Sequence, residues 1–346
     1  MRIAIVNDSV LAVEALRRVL ARAGHAIAWV AKDGAEAVRA CAADTPDLLL
    51  MDLRMPVMDG VASTRTIMAE SPCAILVVAA GVDENFAQVY EAMGAGALDA
   101  VNTPVLGPRG DLDGDRALLA KIETIGKLVG LRAKAPMAKR ERPGPTRNPA
   151  LPPMIAIGAS TGGPQALSEV LAQLPRDLHA AVVIVQHVDA EFAPGLTSWL
   201  RDRSGFPTEI ATTGRRPEAD LALVAASNDH LVLGPDQRLA YTPLPRRHPF
   251  RPSVDVFFQS AAVHWPRPSV GVVLTGMGKD GAAGLLALRD VHWQTIAQDQ
   301  ASSVVYGMPK AAADLGAAKR ILPLDKIGGA IVEALDQLRS AKKAAR

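Results

Sequence analysis

The sequence has few of the residues that staple small secreted domains or anchor proteins in membranes. Only two cysteines, Cys41 and Cys73, occur in 346 residues. That is too few for a disulfide framework, and they lack metal-ligand spacing. Both are expected to serve as small apolar side chains. No apolar run approaches the roughly 18 residues of a membrane-spanning helix. Charge of one sign is also missing. The formal net charge is +2, so bulk charge gives no argument for a nucleic-acid or membrane partner. The opening MRIAIVNDSV enters a strand pattern at once and has no secretory-signal layout. A reducing cytoplasm is the expected setting. No internal repeat is found.

What is present is ordinary globular composition, 49% hydrophobic and 21% charged, in a chain long enough for two domains with real cores. Short apolar runs at 3–6, 26–30, 47–51, 74–78 and 97–101 alternate with helical patterns. In the first of these helices Leu16, Val19, Leu20 and Ala23 share a face, and Gly24 is a stop signal. Strands alternating with helices predict a parallel, doubly wound sheet. A helix near 116–131 closes this domain, assigned to residues 1–125. Residues 132–153, rich in Pro and basic side chains, read as a linker, either simply solvated or a site for an anionic partner. Alternation restarts at Met154 and gives a second α/β domain over 154–340. Its strands are placed at 154–158, 180–186, 221–226, 231–234 and 270–275. Its helices are placed at 164–174, 194–203, 254–264, 281–291 and 326–338, and the last residues are expected to fray.

The sharpest local signal is Gly158-Ala159-Ser160-Thr161-Gly162-Gly163, between a strand and a helix opened by Pro164. A G-x-S-x-G turn in that setting exposes a serine hydroxyl at the sheet's carboxyl edge, with a helix N-terminus beside it to favour negative charge. The same residues would also suit a glycine-rich phosphate loop. A serine needs a base. His187 directly follows the run VVIVQ, at the edge where open α/β sheets keep functional residues. His25 and His179 precede strands, His264 and His292 lie in or after helices, and His230 and His248 are loop candidates. A histidine at a strand end is also often structural. Thr275–Gly281 follows another buried strand. Asp280 could orient an imidazolium and the loop's N–H groups could face an oxyanion. Asp280 could equally be a helix cap, and Asp189, Asp229 and Asp299 are rival acids. The order Ser, His, Asp differs from the Ser, Asp, His of α/β-hydrolases, which disfavours an ordinary lipase.

Five separated stretches, IAIGASTGGP, VIVQHVDAEFAPGL, RPSVDVFFQSAA, VVLTGMGKDGAAGL and AQDQASSVVYGMPKAA, resemble in order the catalytic domain of bacterial protein-glutamate methylesterases, the CheB family. The resemblance implies Ser160 as nucleophile, His187 as general base and acid, Asp280 as its orienter, and the Met277 N–H in the oxyanion hole. It implies hydrolysis of glutamyl γ-methyl esters on chemoreceptor helices, deamidation of receptor glutamine by the same chemistry, and no cofactor for the esterase. The partners implied are methylated receptor helices and, through them, a peripheral place at the membrane, with no nucleic acid.

The first half, through VNDS and LLLMDLRMPVMDG, resembles a response-regulator receiver, a flavodoxin-like (βα)5 domain. By that resemblance Asp52 is the phospho-acceptor, fed by a sensor histidine kinase, and Mg²⁺ is held by Asp8, Asp52 and the Arg54 carbonyl. The hard oxygen donors of Asp8 and Asp52 suit such a cation. Three positions depart from the receiver pattern. Asn7 replaces an acid but keeps an oxygen ligand, so metal binding should weaken rather than vanish. Ala79 replaces a Ser or Thr and cannot donate a side-chain hydrogen bond. Thr103 replaces a Lys and removes a cation. These losses are expected to weaken a phosphate-driven switch. A few receiver segments also resemble the Wsp-type surface-sensing branch. Three rival readings are a non-catalytic binding module, a DNA-binding domain, and a phosphate- or nucleotide-binding α/β domain using GASTGG as an anion loop. The second half lacks the basic recognition helix of a DNA-binding domain.

Overall fold

The computed structural model describes residues 1–79, 86–106, 112–130, 151–246, 248 and 250–344. The expected linker falls largely outside them. The chain divides into two compact units, Met1–Lys134 and Ala135–Arg346. No helix among the described residues is long and apolar enough to cross a membrane.

The first unit runs β1 (Arg2–Val6), α1 (Val10–Arg22), β2 (Ala26–Ala31), α2 (Gly34–Ala43), β3 (Leu48–Met51), α3 (Gly60–Glu70), β4 (Ala74–Ala79), α4 (Phe86–Gly94), β5 (Asp99–Asn102), a short β6 (Val105–Leu106) and β7 (Leu112–Asp113) pair, and α5 (Asp115–Gly130). Its five-stranded sheet has the order β2-β1-β3-β4-β5 and is parallel throughout. All of Leu48–Met51 is buried, as a strand covered on both faces must be. Ser9, Asp33 and Asp59 cap α1, α2 and α3 by accepting the N–H of Ala12, Glu36 and Ala62. The apolar stripe of α1 is Ala15, Leu16, Val19 and Leu20. Ala23, expected in that stripe, lies one residue past the helix and is exposed. The two cysteine sulfurs lie 3.7 Å apart as free thiols, and burial, then the neighbouring Cys41, raises the Cys73 pKa strongly.

The second unit begins β8 (Met154–Ala159), α6 (Gly163–Ala172), β9 (Ala181–Gln186), α7 (Ala193–Ser204), β10 (Thr208–Ile210), β11 (Ala222–Val224), β12 (His230–Leu233) and β13 (Leu239–Thr242). It continues α8 (Val254–His264), β14 (Val270–Val273), α9 (Ala282–Asp290), β15 (Gln294–Gln298), α10 (Met308–Asp314), β16 (Arg320–Leu322) and α11 (Leu324–Ala344). Seven strands form one sheet in the order β10-β11-β9-β8-β14-β15-β16, parallel at every pairing. Every residue of the inner strands β8, β9 and β14 is buried. β12 and β13 form a separate antiparallel hairpin. His230 opens β12 and is fully buried, so it is a strand residue rather than the loop residue expected. Alternation alone does not reveal the edge strands β10 and β16, which are three residues long.

The helix α8 lies tight against β8. A Cβ added at Gly158 would meet Val254 Cγ1 at 2.2 Å. Valine cannot swing aside cheaply, because branching at Cβ fixes its rotamer. We expect Gly158→Ala to lower the stability of this unit by about 1–3 kcal/mol, the usual cost of overpacking a core. A drop in the urea midpoint that is partly restored by adding Val254→Ala is the expected result; an unchanged midpoint would refute the close contact.

Candidate active site

Two parallel neighbours bring Ser160 and His187 side by side. Ala159 on β8 pairs with Gln186 on β9, so Ser160 and His187 are the first residues past adjacent strand ends. β14 flanks β8 on its other side, with Val273 opposite Gly158, and its following loop ends at Asp280. From β8 the chain passes to β9, crosses to the edge strand β10, comes back to β11 between them, and then returns to β14 on the other side of β8. The crevice at such a reversal of strand order is where α/β sheets bind ligands.

The Ser160 backbone is held from three sides. Its N–H donates to the Thr275 carbonyl (3.1 Å). Its carbonyl accepts from Gly163 N (2.8 Å) and from the buried Gln186 Nε2 (2.9 Å). Thr275 is fixed in turn by Gln298 Oε1, which accepts the Thr275 N–H at 2.8 Å. Its hydroxyl donates to the Thr161 carbonyl at 2.9 Å. The left-handed residue of this turn is Gly162, at φ 74°, where a Cβ would meet Val304 at 2.6 Å. The special backbone conformation of the turn thus falls on a glycine and not on the serine, where a nucleophile elbow would have it.

His187 Nε2 lies 2.7 Å from Asp280 Oδ2, with both side chains nearly buried. An ionised carboxylate only accepts, so Nε2 carries the proton and Nδ1 of the neutral ring is a bare acceptor. That Nδ1 is buried and has no hydrogen-bond partner among the described residues. Phe250 stacks on the ring at 4.3 Å between centroids and 10° between planes. Asp280, rather than Asp189, Asp229 or Asp299, therefore holds the histidine. Asp299 instead accepts from Ser302 in a tight turn. The Ser160 hydroxyl makes no hydrogen bond to His187. The structure joins Asp280 to His187 directly and brings Ser160 to them by strand register.

Asp280 also caps a helix it does not belong to. Its oxygens accept the Val254 N–H (2.7 Å), the Asp255 N–H (3.1 Å) and the Ser253 hydroxyl (2.8 Å) at the start of α8. Burial opposes its charge. The hydrogen bond and charge of His187, the Ser253 hydroxyl and the Asp255 N–H outweigh burial and hold the carboxyl below the usual range. Asp255, on α8, makes the reciprocal contact. Its Oδ1 accepts Gly284 N–H at 2.6 Å, at the start of α9 just after Asp280. Burial, then the charge of Asp280, pushes the Asp255 carboxyl upward. Sequence reasoning misses Ser253, Asp255, His230 and Phe250 as site residues. Ser253 and Asp255 lie in the RPSVD stretch, but nothing in that stretch announces contacts around Asp280.

Among backbone donors, Met277 N–H has no acceptor among the described residues. The preceding Gly276 is pinned, its N–H donating to Val305 (3.0 Å) and its carbonyl accepting from Met308 N–H (2.8 Å). In the first unit, β1 and β3 pair with Val6 opposite Met51, so Asn7 and Asp52 leave the sheet together. β1 ends at Val6, which puts Asp8 two residues past the strand rather than at its end; Asp8 is exposed. Asn7 Oδ1 accepts Ser9 N–H at 2.8 Å, and Asp52 Oδ1 accepts Leu53 N–H at 2.7 Å. Burial, and to a lesser degree the charge of Asp8, raises the Asp52 carboxyl against the N–H donors of Leu53 and Arg54. That repulsion is what a hard cation between the two carboxylates would relieve. No trio of His, Cys, Asp or Glu gathers among the described residues, and the Asn7 oxygen, which accepts one bond in its own turn, adds no charge. Asp8, Asp52 and the Arg54 carbonyl therefore fit a weak oxygen site. Ala79 and Thr103 adjoin at the same edge, Thr103 N–H donating to the Ala79 carbonyl at 3.0 Å.

The two units define a class: a receiver-type α/β domain with an acidic sheet edge, followed by an α/β domain with a hydrolase-type edge. Residues 155–331 match the family model described as CheB methylesterase, and residues 3–108 match the response regulator receiver domain. The chain belongs to the CheB methylesterase family. A Burkholderia thailandensis relative named protein-glutamate methylesterase/protein-glutamine glutaminase 4 is 54% identical over 99% of this chain and 100% of its own. A Mesorhizobium japonicum relative named protein-glutamate methylesterase/protein-glutamine glutaminase is 54% identical over 97% of this chain and 99% of its own. The solved CheB methylesterase catalytic domain of Thermotoga maritima covers 53% of this chain and 98% of its own, with 30% identity and a TM-score of 0.50.

The raised Asp255 carboxyl has a testable sign. A folded carboxyl above its unfolded value of about 3.9 contributes stability that is full below that value and is lost as pH rises through the folded one. The Asp255→Asn variant lacks this loss. Its urea midpoint, relative to the parent, should rise between about pH 4 and about pH 8. A difference independent of pH would contradict the shift.

Proposed function

We propose that the protein hydrolyses glutamyl γ-methyl esters on chemoreceptor helices to glutamate and methanol, and converts receptor glutamine to glutamate and ammonia at the same site. One observation carries this. The buried His187 is tethered at Nε2 by Asp280 and keeps a bare Nδ1, at the strand end next to that of Ser160, in a chain that aligns with relatives of that name over nearly its whole length.

His187 Nδ1 takes the hydroxyl proton as Ser160 Oγ attacks the γ-carbonyl carbon. The imidazolium so formed is balanced by Asp280, which stays ionised. Negative charge collects on the former carbonyl oxygen, and the Met277 N–H is the donor we assign to it. The intermediate collapses by breaking the bond to the methoxy oxygen, which takes the proton from His187 and leaves as methanol. Water then attacks the acyl-enzyme, again losing its proton to His187 Nδ1, and Ser160 is released with the glutamate. An amide takes the same path with ammonia as the leaving group. Ammonia needs its proton more than methanol does, so ester hydrolysis is the faster reaction. Ser160→Ala should reduce methanol release from methylated receptor membranes by roughly 10⁴-fold or more. Retained release would exclude Ser160 as the nucleophile.

We infer that Asp52 accepts a phosphoryl group from a sensor histidine kinase and that this regulates the esterase. A bound Mg²⁺ would screen the charge of the incoming phosphoryl group. Asp8, Asp52 and the Arg54 carbonyl are the residues to hold it. With Ala79 and Thr103 at the neighbouring strand ends, no hydroxyl at 79 and no lysine at 103 grips the phosphoryl group, so the linked conformational response is small. Incubation with Mg²⁺ and acetyl phosphate should add the mass of one phosphoryl group to the protein and none to Asp52→Asn. An unmodified parent protein, beside an active control receiver, would refute this.

A further inference from the structure

Behind Asp280 the hydrogen-bonded chain does not stop. The Ser253 hydroxyl donates to Asp280 Oδ1 at 2.8 Å, and the Ser253 N–H donates to His230 Nδ1 at 3.2 Å. The far nitrogen of His230 lies 3.3 Å from the Pro245 carbonyl. Since Nδ1 accepts, the proton of the neutral ring is on Nε2, and Nε2 donates to Pro245. The polarity is therefore fixed at every link but the hydroxyl's own proton. That proton goes to Asp280, because an ionised carboxylate only accepts, while the same hydroxyl oxygen accepts Val256 N–H at 3.3 Å as the N-cap of α8.

His230 and Ser253 are both fully buried. A helix cap needs only an acceptor, so capping explains neither the donor bond to Asp280 nor a buried imidazole behind the serine N–H. A buried polar ring is costly unless its bonds are made, and here both nitrogens are engaged. His248 stands edge-on to His230 at 5.7 Å. Burial disfavours a charge on His230; the Pro245 carbonyl opposes this, His248 and Arg251 add to it, and Asp280 acts against it, the net effect being downward. Protonated His230 would turn a donor toward the Ser253 N–H and break the chain.

We propose that His230 and Ser253 are positioning residues for the esterase, forming with Pro245 a rear relay that fixes Asp280 in the one orientation that tethers His187. This rests on the esterase reading above. Ser253 shares the negative charge of Asp280. Without its hydroxyl, that charge is concentrated on the His187 side and stabilises the imidazolium. The acidic limb of the pH–rate profile then moves to higher pH.

The test uses the full-length protein and two assays, methanol release from methylated receptor membranes and the rate at which a fluorophosphonate probe labels Ser160. For Ser253→Ala we expect kcat to fall about tenfold with KM unchanged, and the acidic limb of both pH profiles to rise by about half a unit. Ser253→Thr keeps the hydroxyl and should restore both. His230→Leu should behave like Ser253→Ala, and His230→Gln, which offers an acceptor and a donor, should recover most of the rate. Unaltered rates and profiles in Ser253→Ala overturn the proposal. So does equal loss in His230→Leu and His230→Gln at matched melting temperature. A parent protein that labels with the probe but releases no methanol refutes the substrate and leaves the relay testable by labelling. A parent that does not label at all has no activated serine, which overturns both.

Discussion

Two carboxylates exchanged between two helices hold the catalytic edge together. Asp280, just before α9, accepts the first N–H groups of α8, and Asp255, in the first turn of α8, accepts an N–H of α9. Each helix start would otherwise leave donors without partners. The partial positive charge at the two N-termini lets two carboxyl groups sit close in a buried place. Asp280 takes the larger share of that positive field and of the donors, so it is the one that stays charged. Asp255 is left as the weaker acid. The division is useful because the charged member is the one that faces the imidazole.

From this exchange the geometry of His187 is set. The ring is held at Nε2 by Asp280, at its face by Phe250 and at its backbone by the Ala159 carbonyl. Among the described residues, Nδ1 has no hydrogen-bond partner. Helix packing and catalytic orientation thus depend on the same few atoms, and a change that loosened α8 against α9 would also turn the histidine.

Much of this is legible in the sequence. Ser160, His187 and Asp280 each come after a buried apolar run, and parallel strands deliver their carboxyl ends to one edge of the sheet. Reading strand ends is therefore enough to nominate them. It is not enough to choose Asp280 over Asp299, because that choice is made by the N-terminus of α8, a segment whose contact with the β14 loop no periodicity records. His230 reads as a loop residue for a related reason. It opens a four-residue hairpin strand flanked by turn residues, where local pattern is faint and burial comes from the β12–α8 packing. In the receiver unit the sheet and the Asp52 edge are equally plain. The placing of Asp8 is not, since Asn7 folds its side chain onto Ser9 and the strand ends early.

The returning strand β14 has a consequence for the protein's synthesis. The strands that lead to Ser160 and to Asp280 are neighbours in space, yet they are made far apart in time, with the stretch from β9 to α8 emerging between them. A nascent chain displays Ser160 and His187 well before it owns Asp280 or the loop bearing Met277. Domains fold as units once their long-range pairings are available. The candidate site is accordingly incomplete until β14 closes the crevice, and its last pieces arrive only with the final quarter of the chain.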